Sequence, residues 1–294
     1  MMRRQSQQGF TLVEMIMVIV ITGIIGGMVA VFLKTPIQQY MDVARRADMT
    51  DIADTALRRI GRDLRLALPN SVRVTPGACP VTTANPGGTG TCSFLEFLPT
   101  SGGGRYRADT GGGAGCPASP GGEALDFTGA DACFGVLGGM PAGFAFAAGD
   151  LVAVYNLGIS GATAYSGVNT AAINLAGSTA AIITLNTAKL FQLASPKARF
   201  DIINKAVSYV CDTTGKTLMR YSYPIVAGQP TATLTGGNLL AGNVGAICNF
   251  SYDAFVVAQR SGLVTMNLSI TENNPSGGNE TVTLYNATHV SNLP

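Results

Sequence analysis

Two sets of residues in this chain have the types and spacing for chemistry. The first is a Gly9-Phe10 junction with a lone carboxylate, Glu14, four residues further on. The second is six cysteines, at 79, 92, 116, 133, 211 and 248. A Gly-Phe junction behind the basic pair Arg3-Arg4 and ahead of a long apolar run suits proteolysis, because a cut there removes a basic leader and keeps the apolar segment. An ordinary secretory signal has its small-residue cleavage site after the apolar run. Here Gly26-Gly27-Met28-Val29-Ala30 lies inside the run and is followed by more apolar residues.

The element that must hold this junction is a membrane-grade helix. Residues 15–33 carry no charge, and Thr22 is their one polar side chain. That length crosses a hydrocarbon core of about 30 Å. The positive-inside rule puts Arg3 and Arg4 in the cytoplasm and the remainder of the chain across the membrane. A carboxylate at the membrane boundary is costly unless paired, which marks Glu14 as a functional position. From the residues alone, Glu14 either snorkels to the headgroups or meets a partner charge.

The hexapeptide Gly9-Phe10-Thr11-Leu12-Val13-Glu14 with its apolar extension resembles the processing motif of type IV pilins and type II secretion pseudopilins. The resemblance implies cleavage after Gly9 by a membrane-embedded prepilin peptidase and methylation of the new amine on Phe10. It also implies that Glu14 meets the Phe10 amine of a neighbouring subunit as helices stack. The expected partners are other pilin or pseudopilin subunits, the peptidase, an inner-membrane assembly platform and the lipid bilayer. The expected location is the bacterial inner membrane, with the C-terminal part in the periplasm, and then a pilus or pseudopilus fibre. In these families the middle of the membrane helix often melts on assembly, and Gly23, Gly26 and Gly27 are compatible with that. Many members carry a proline in this region, whereas the first proline here is Pro36, so any kink would fall later.

Beyond the span, Ile37, Met41, Ala44, Ile52, Ala56, Ile60, Leu64 and Ala67 form an apolar stripe at helical spacing, broken by Asp48. Asp42/Arg46, Asp54/Arg58 and Arg59/Asp63 are opposite charges at i,i+4, expected to pair on a solvated face. Arg58, Arg59, Arg62 and Arg65 read as a solvated cluster near a helix C-terminus, with a phosphate or lipid patch as the alternative. Pro69-Asn70 is the expected stop. A straight helix over 10–68 would be about 88 Å long.

After residue 74 the composition changes. Residues 76–148 are rich in Gly, Pro, Ala and Cys, with runs at Gly102-Gly103-Gly104 and Gly111-Gly112-Gly113, and read as loops stapled by disulfides. The glycines lack a phosphate-loop spacing, so no cofactor is expected. Six exported cysteines allow fifteen pairings. Sequential closure (Cys79–Cys92, Cys116–Cys133, Cys211–Cys248) gives short local loops, with buried thiols as the alternative. Alternating segments at 94–98, 151–155 and 182–185 read as strands. Residues 206–211 with 217–221, and 263–271 with 280–287, read as hairpins. The fold class is therefore α+β, a long N-terminal helix packed on an antiparallel sheet. The expected division is a leader at 1–9, an assembly half-helix at 10–33, an amphipathic half at 34–68 and a β-rich domain at 69–294. Ala56-Leu57-Arg58-Arg59-Ile60-Gly61-Arg62-Asp63-Leu64-Arg65 and the two hairpins resemble J-type minor pseudopilins and the larger minor pilins.

A formal charge of +2 gives no case for nucleic acid. With His289 as the single histidine, no nucleophile–base–orienter set is readable, so no catalytic role is expected. Asn249, Asn267, Asn279 and Asn286 begin sequons, which read as strand and turn residues. No Asp/Asn loop suggests calcium, and no metal ligand set is present. The expected function is a minor pilin or pseudopilin acting in fibre initiation or at the tip. A membrane-anchored adhesin or binding module is the alternative.

Overall fold

The computed structural model describes residues 9–109, 116, 124–256, 261–275 and 277–294. Arg3, Arg4 and the Gly111–Gly113 run lie outside them.

One continuous α-helix, α1, runs from Leu12 to Leu64. Pro36 lies inside it, where the ring removes one helical donor without ending the element. The helix stops four residues short of the expected Leu68. There the Leu66 carbonyl accepts bonds from the Thr100 N–H at 2.7 Å and the Thr100 hydroxyl at 2.9 Å. The Leu68 N–H turns to the Leu98 carbonyl at 2.7 Å. Tertiary partners thus capture the last turn.

The apolar stripe is also rotated from the expected one. Ala56, Ile60 and Leu64 are buried as expected, joined by Met49, Ala53, Leu57 and Gly61. Ile37, Met41 and Ile52 are exposed, and the break at Asp48 falls where the stripe begins one residue later.

The strands are β1 (Arg73–Ala78), β2 (Thr91–Phe97), β3 (Thr100–Arg105), β4 (Asp131–Gly135), β5 (Leu151–Val154), β6 (Thr170–Ala172) and β7 (Ile182–Lys189). They continue with β8 (Arg199–Ile203), β9 (Ala206–Asp212), β10 (Thr217–Tyr223), β11 (Asn238–Ala241), β12 (Val244–Val256), β13 (Ser261–Asn273) and β14 (Asn279–Ser291). They form a five-stranded sheet β1-β2-β9-β10-β11, a three-stranded sheet β12-β13-β14, a four-stranded sheet β3-β8-β5-β6 and the pair β4-β7. The pairings are antiparallel.

The main core lies between α1, the five-stranded sheet and the three-stranded sheet. It joins Ile60 and Leu64 to Leu95, Phe97 and Tyr209, and to Val264, Met266 and Ile270. A second core, around Phe134, Val152, Ile183 and Phe200, belongs to β4, β5, β7 and β8. Leu68, Leu98, Ile203 and Ala206 form a smaller cluster from the segments that leave α1, β2 and β8.

One glycine run departs from the loop reading. Gly102-Gly103-Gly104 lies in β3, paired with β8. A Cβ on Gly102 would sit 2.5 Å from the Phe144 ring, and one on Gly103 only 2.8 Å from the Phe200 carbonyl oxygen. These glycines allow close packing rather than a flexible turn.

Candidate functional site

The N-terminal junction is built so that its backbone is open. Gly9 and Phe10 precede the helix, and Phe10 is 84% exposed. Thr11 is the N-cap, with extended backbone at φ −79° and ψ 150°, and its hydroxyl accepts the Glu14 N–H at 3.3 Å. The Gly9–Phe10 peptide therefore lies outside the helix, ahead of its N-cap. Glu14 sits in the first turn of α1, where a negative charge complements the helix dipole. It makes no ion pair among the described residues. Phe10 lies four residues before Glu14, ahead of the helix start at Leu12.

The segment after Glu14 is uncovered. Its side chains from Met15 to Leu33 are exposed, and this helix has the length and apolar character to cross a membrane. The Thr22 hydroxyl donates to the Val18 carbonyl, so the span's one polar side chain is satisfied within the helix. Gly23, Gly26 and Gly27 have open space where a Cβ would point.

The ion pairs differ from the local ones expected. Asp54–Arg58 forms, at 2.5 Å. Asp42 instead pairs with Arg45 at 3.1 Å, and Arg46 pairs with Glu280 at the start of β14. Arg45 reaches the same Glu280 at 3.5 Å, and Asn274 Nδ2 donates to Asp42 at 3.3 Å. Asp63 pairs not with Arg59 but with Arg220 at 3.1 Å, while accepting the Tyr209 hydroxyl at 2.7 Å. Burial, then the hydrogen bond to Asp63 and its charge, pushes the Tyr209 phenol far up. For Arg46 and Asp63 a tertiary partner replaces the i,i+4 one, with the Tyr209 hydrogen bond added at Asp63, whereas Asp42 keeps a local partner one residue nearer, at i,i+3.

Sequence reasoning also missed a joint made by Arg73. Its guanidinium forks onto the fully buried Glu96 at 2.8 and 3.0 Å and lies 3.7 Å from the centre of the Tyr165 ring. Burial raises the Glu96 carboxyl, and the Arg73 contact opposes that rise. The alternating 94–98 segment showed Glu96 in a strand, but nothing local showed its partner.

The cysteines join as Cys79–Cys92, Cys116–Cys133 and Cys211–Cys248. The last ties β9 of the five-stranded sheet to β12 of the three-stranded sheet. Cys79, Cys92 and Asp212 cluster closely enough to suggest a metal site. Both sulfurs are committed to the disulfide, and the Asp212 carboxylate accepts the Thr214 and Gly215 N–H groups and Asn85 Nδ2. That set is a turn clamp. The sequon residues Asn249, Asn267 and Asn286 lie in strands, and Asn279 opens β14.

The family model describing the prokaryotic N-terminal methylation motif matches residues 4–30. Comparison with curated proteins and with solved structures gives no match. The motif supports a type IV pilin-like substrate of prepilin peptidase, and with it a structural subunit that assembles with other pilins. The apolar helix fits membrane anchoring followed by pilus assembly.

Proposed function

We propose that this type IV pilin-like chain is a minor subunit of a pilus or a type II secretion pseudopilus, acting in initiation or at the tip. The observation that carries the proposal is the open Gly9–Phe10 junction set directly before an uncovered apolar helix. Cleavage there frees the Phe10 amine for methylation. The leader 1–9 is discarded, the half-helix 10–33 serves assembly, 34–68 couples it to the domain, and 69–294 is the periplasmic part. Burying the half-helix among its neighbours supplies affinity, and the Glu14 carboxylate facing a neighbour's Phe10 amine sets the register. The four separate sheets and long connections suit a specialised subunit better than a repeating one. Within the class, the chain resembles the MSHA-pilus biogenesis proteins of the O type, over residues 9–75 and 200–294.

Mass measurement of the mature protein tests the processing step. The expected N-terminus is Phe10 carrying one methyl group. An intact Met1, or cleavage after residue 30, would overturn the reading. Quantifying subunits in sheared fibres tests the minor role, which fails if this chain is the most abundant one.

A further inference from the structure

A groove runs between the C-terminal part of α1 and the outer edge of β14. One wall carries Arg58, Arg62 and Arg65, spaced i, i+4 and i+7 on the helix, and its floor includes Gly61. The other wall is the consecutive run Asn286 to His289. Four successive residues of one strand line the groove, so it is the backbone edge that faces it, not one row of side chains.

Two independent features point to what this groove takes. The first is charge. Arg58 is held by Asp54, but Arg62 and Arg65 are exposed, make no ion pair among the described residues, and share the groove with no carboxylate. The second is the edge itself. β14 pairs with β13 without a bulge from Asn279↔Asn273 to Ser291↔Ser261, and no strand pairs with its other side among the described residues. Its sequence has no Lys, Arg or Pro. Proteins normally guard an edge of this length with such residues or with a bulge, because an unguarded edge recruits another strand.

We propose that this groove receives an extended, carboxylate-bearing segment of a neighbouring subunit, which adds to the β14 edge and pairs its acidic side chains with Arg62 and Arg65. The proposal rests on the assembly reading above. Backbone bonding to the edge supplies affinity, and the arginines supply direction and choice of partner. A lipid headgroup is excluded as the occupant by distance. Arg58 lies 25 residues beyond Leu33 on one continuous helix, about 37 Å from the end of the apolar span.

The test places a photo-crosslinking residue at Ala287 in the groove of the full chain, in cells that assemble the fibre, with Tyr40 on the bare helix as reference. The expected result is an Ala287 adduct mapping to an Asp/Glu-bearing segment of another subunit. Its yield should fall at least about tenfold in the double variant Arg62→Glu/Arg65→Glu, while the Tyr40 adduct persists. The neutral pair Arg62→Gln/Arg65→Gln, with an unchanged thermal melt, guards against a folding defect. An Ala287 adduct to lipid or to no subunit, or one indifferent to charge reversal, overturns the proposal while a surviving Tyr40 adduct leaves the assembly reading standing. Loss of both adducts in the unsubstituted chain overturns the two together. In detergent, the purified full chain should bind an alternating Glu-Thr peptide and lose about tenfold in affinity on raising salt from ~0.05 to ~0.5 M. Equal binding of a Gln-Thr peptide, or displacement by equimolar inorganic phosphate, would overturn it.

Discussion

Asp201, on β8, sits beside Gly103, where an added Cβ would approach its Oδ1 to 2.9 Å. Burial lifts its carboxyl from 3.8 to about 6, and the Arg199 charge only partly opposes this. The folded state therefore holds the proton more tightly than the unfolded chain does. The associated stability is complete below about pH 4 and is lost as pH rises through about 6. Asp201→Asn is expected to raise stability by about 1–2 kcal/mol at neutral pH, after discounting for partial solvent exposure, and to change little at about pH 4. Urea melts at the two pH values check it; an equal gain at both would contradict it. Glu14 belongs to the same scale but to another state of the molecule. Glu14→Ala should be processed normally, because the Gly9–Phe10 peptide proposed for cleavage lies outside the helix, yet enter fibres poorly. Immunoblots of membrane and sheared-fibre fractions separate the two effects. The local setting of Glu14, at the start of an apolar helix, was legible from sequence because it needs only near neighbours in the chain. Asp63, Glu96 and Glu280 were not, since their partners lie 23 to 235 residues away.

At the scale of elements, the β13–β14 hairpin is fastened to α1 by Glu280 and Asn274. The Glu280 side chain is only 11% exposed while it engages Arg45 and Arg46. Glu280→Ala should loosen this fastening by about 1–2 kcal/mol, as removal of one member of a half-buried pair does. Hydrogen exchange should quicken at 273–279 and stay slow at the centre of β13; uniform acceleration would show general unfolding instead. In β3, Gly103→Ala should cost about 1–3 kcal/mol, because the neighbouring atom is a backbone carbonyl that cannot swing away. Thermal melting measures it. The hairpin of 263–271 with 280–287 was readable because its strands alternate apolar and polar residues, and that of 206–211 with 217–221 because two strand-forming runs flank Gly215. β12 was missed because Gly245, Ala246 and Asn249 blur the alternation, and β3 because a glycine run reads as a turn until its packing partners are known. The phase of the α1 stripe was misjudged for a related reason: Ile37 and Met41 are apolar but have no core beneath them in the single chain.

Across the whole molecule, the main core is shared by one helix and two sheets, and Cys211–Cys248 crosses between the sheets. This disulfide closes the longest loop of the three, spanning 37 residues against 13 and 17. Removing it as Cys211→Ser/Cys248→Ser should cost about 2–4 kcal/mol, and more than the corresponding loss of Cys79–Cys92. Chemical denaturation of the three double variants would rank them; a ranking led by Cys79–Cys92 would refute the argument.

The fastening at Asp42, Arg45, Arg46 and Glu280 has a mechanical consequence. It fixes the lowest point at which the domain grips its own helix. Between that point and the apolar span only residues 34–41 remain unsupported, a neck of about 12 Å. Bending between the apolar span and the domain should concentrate there, on the stretch of α1 that contains a helix-weakening proline, Pro36. With the apolar span anchored as proposed, force applied to the domain would reach it through that one short joint.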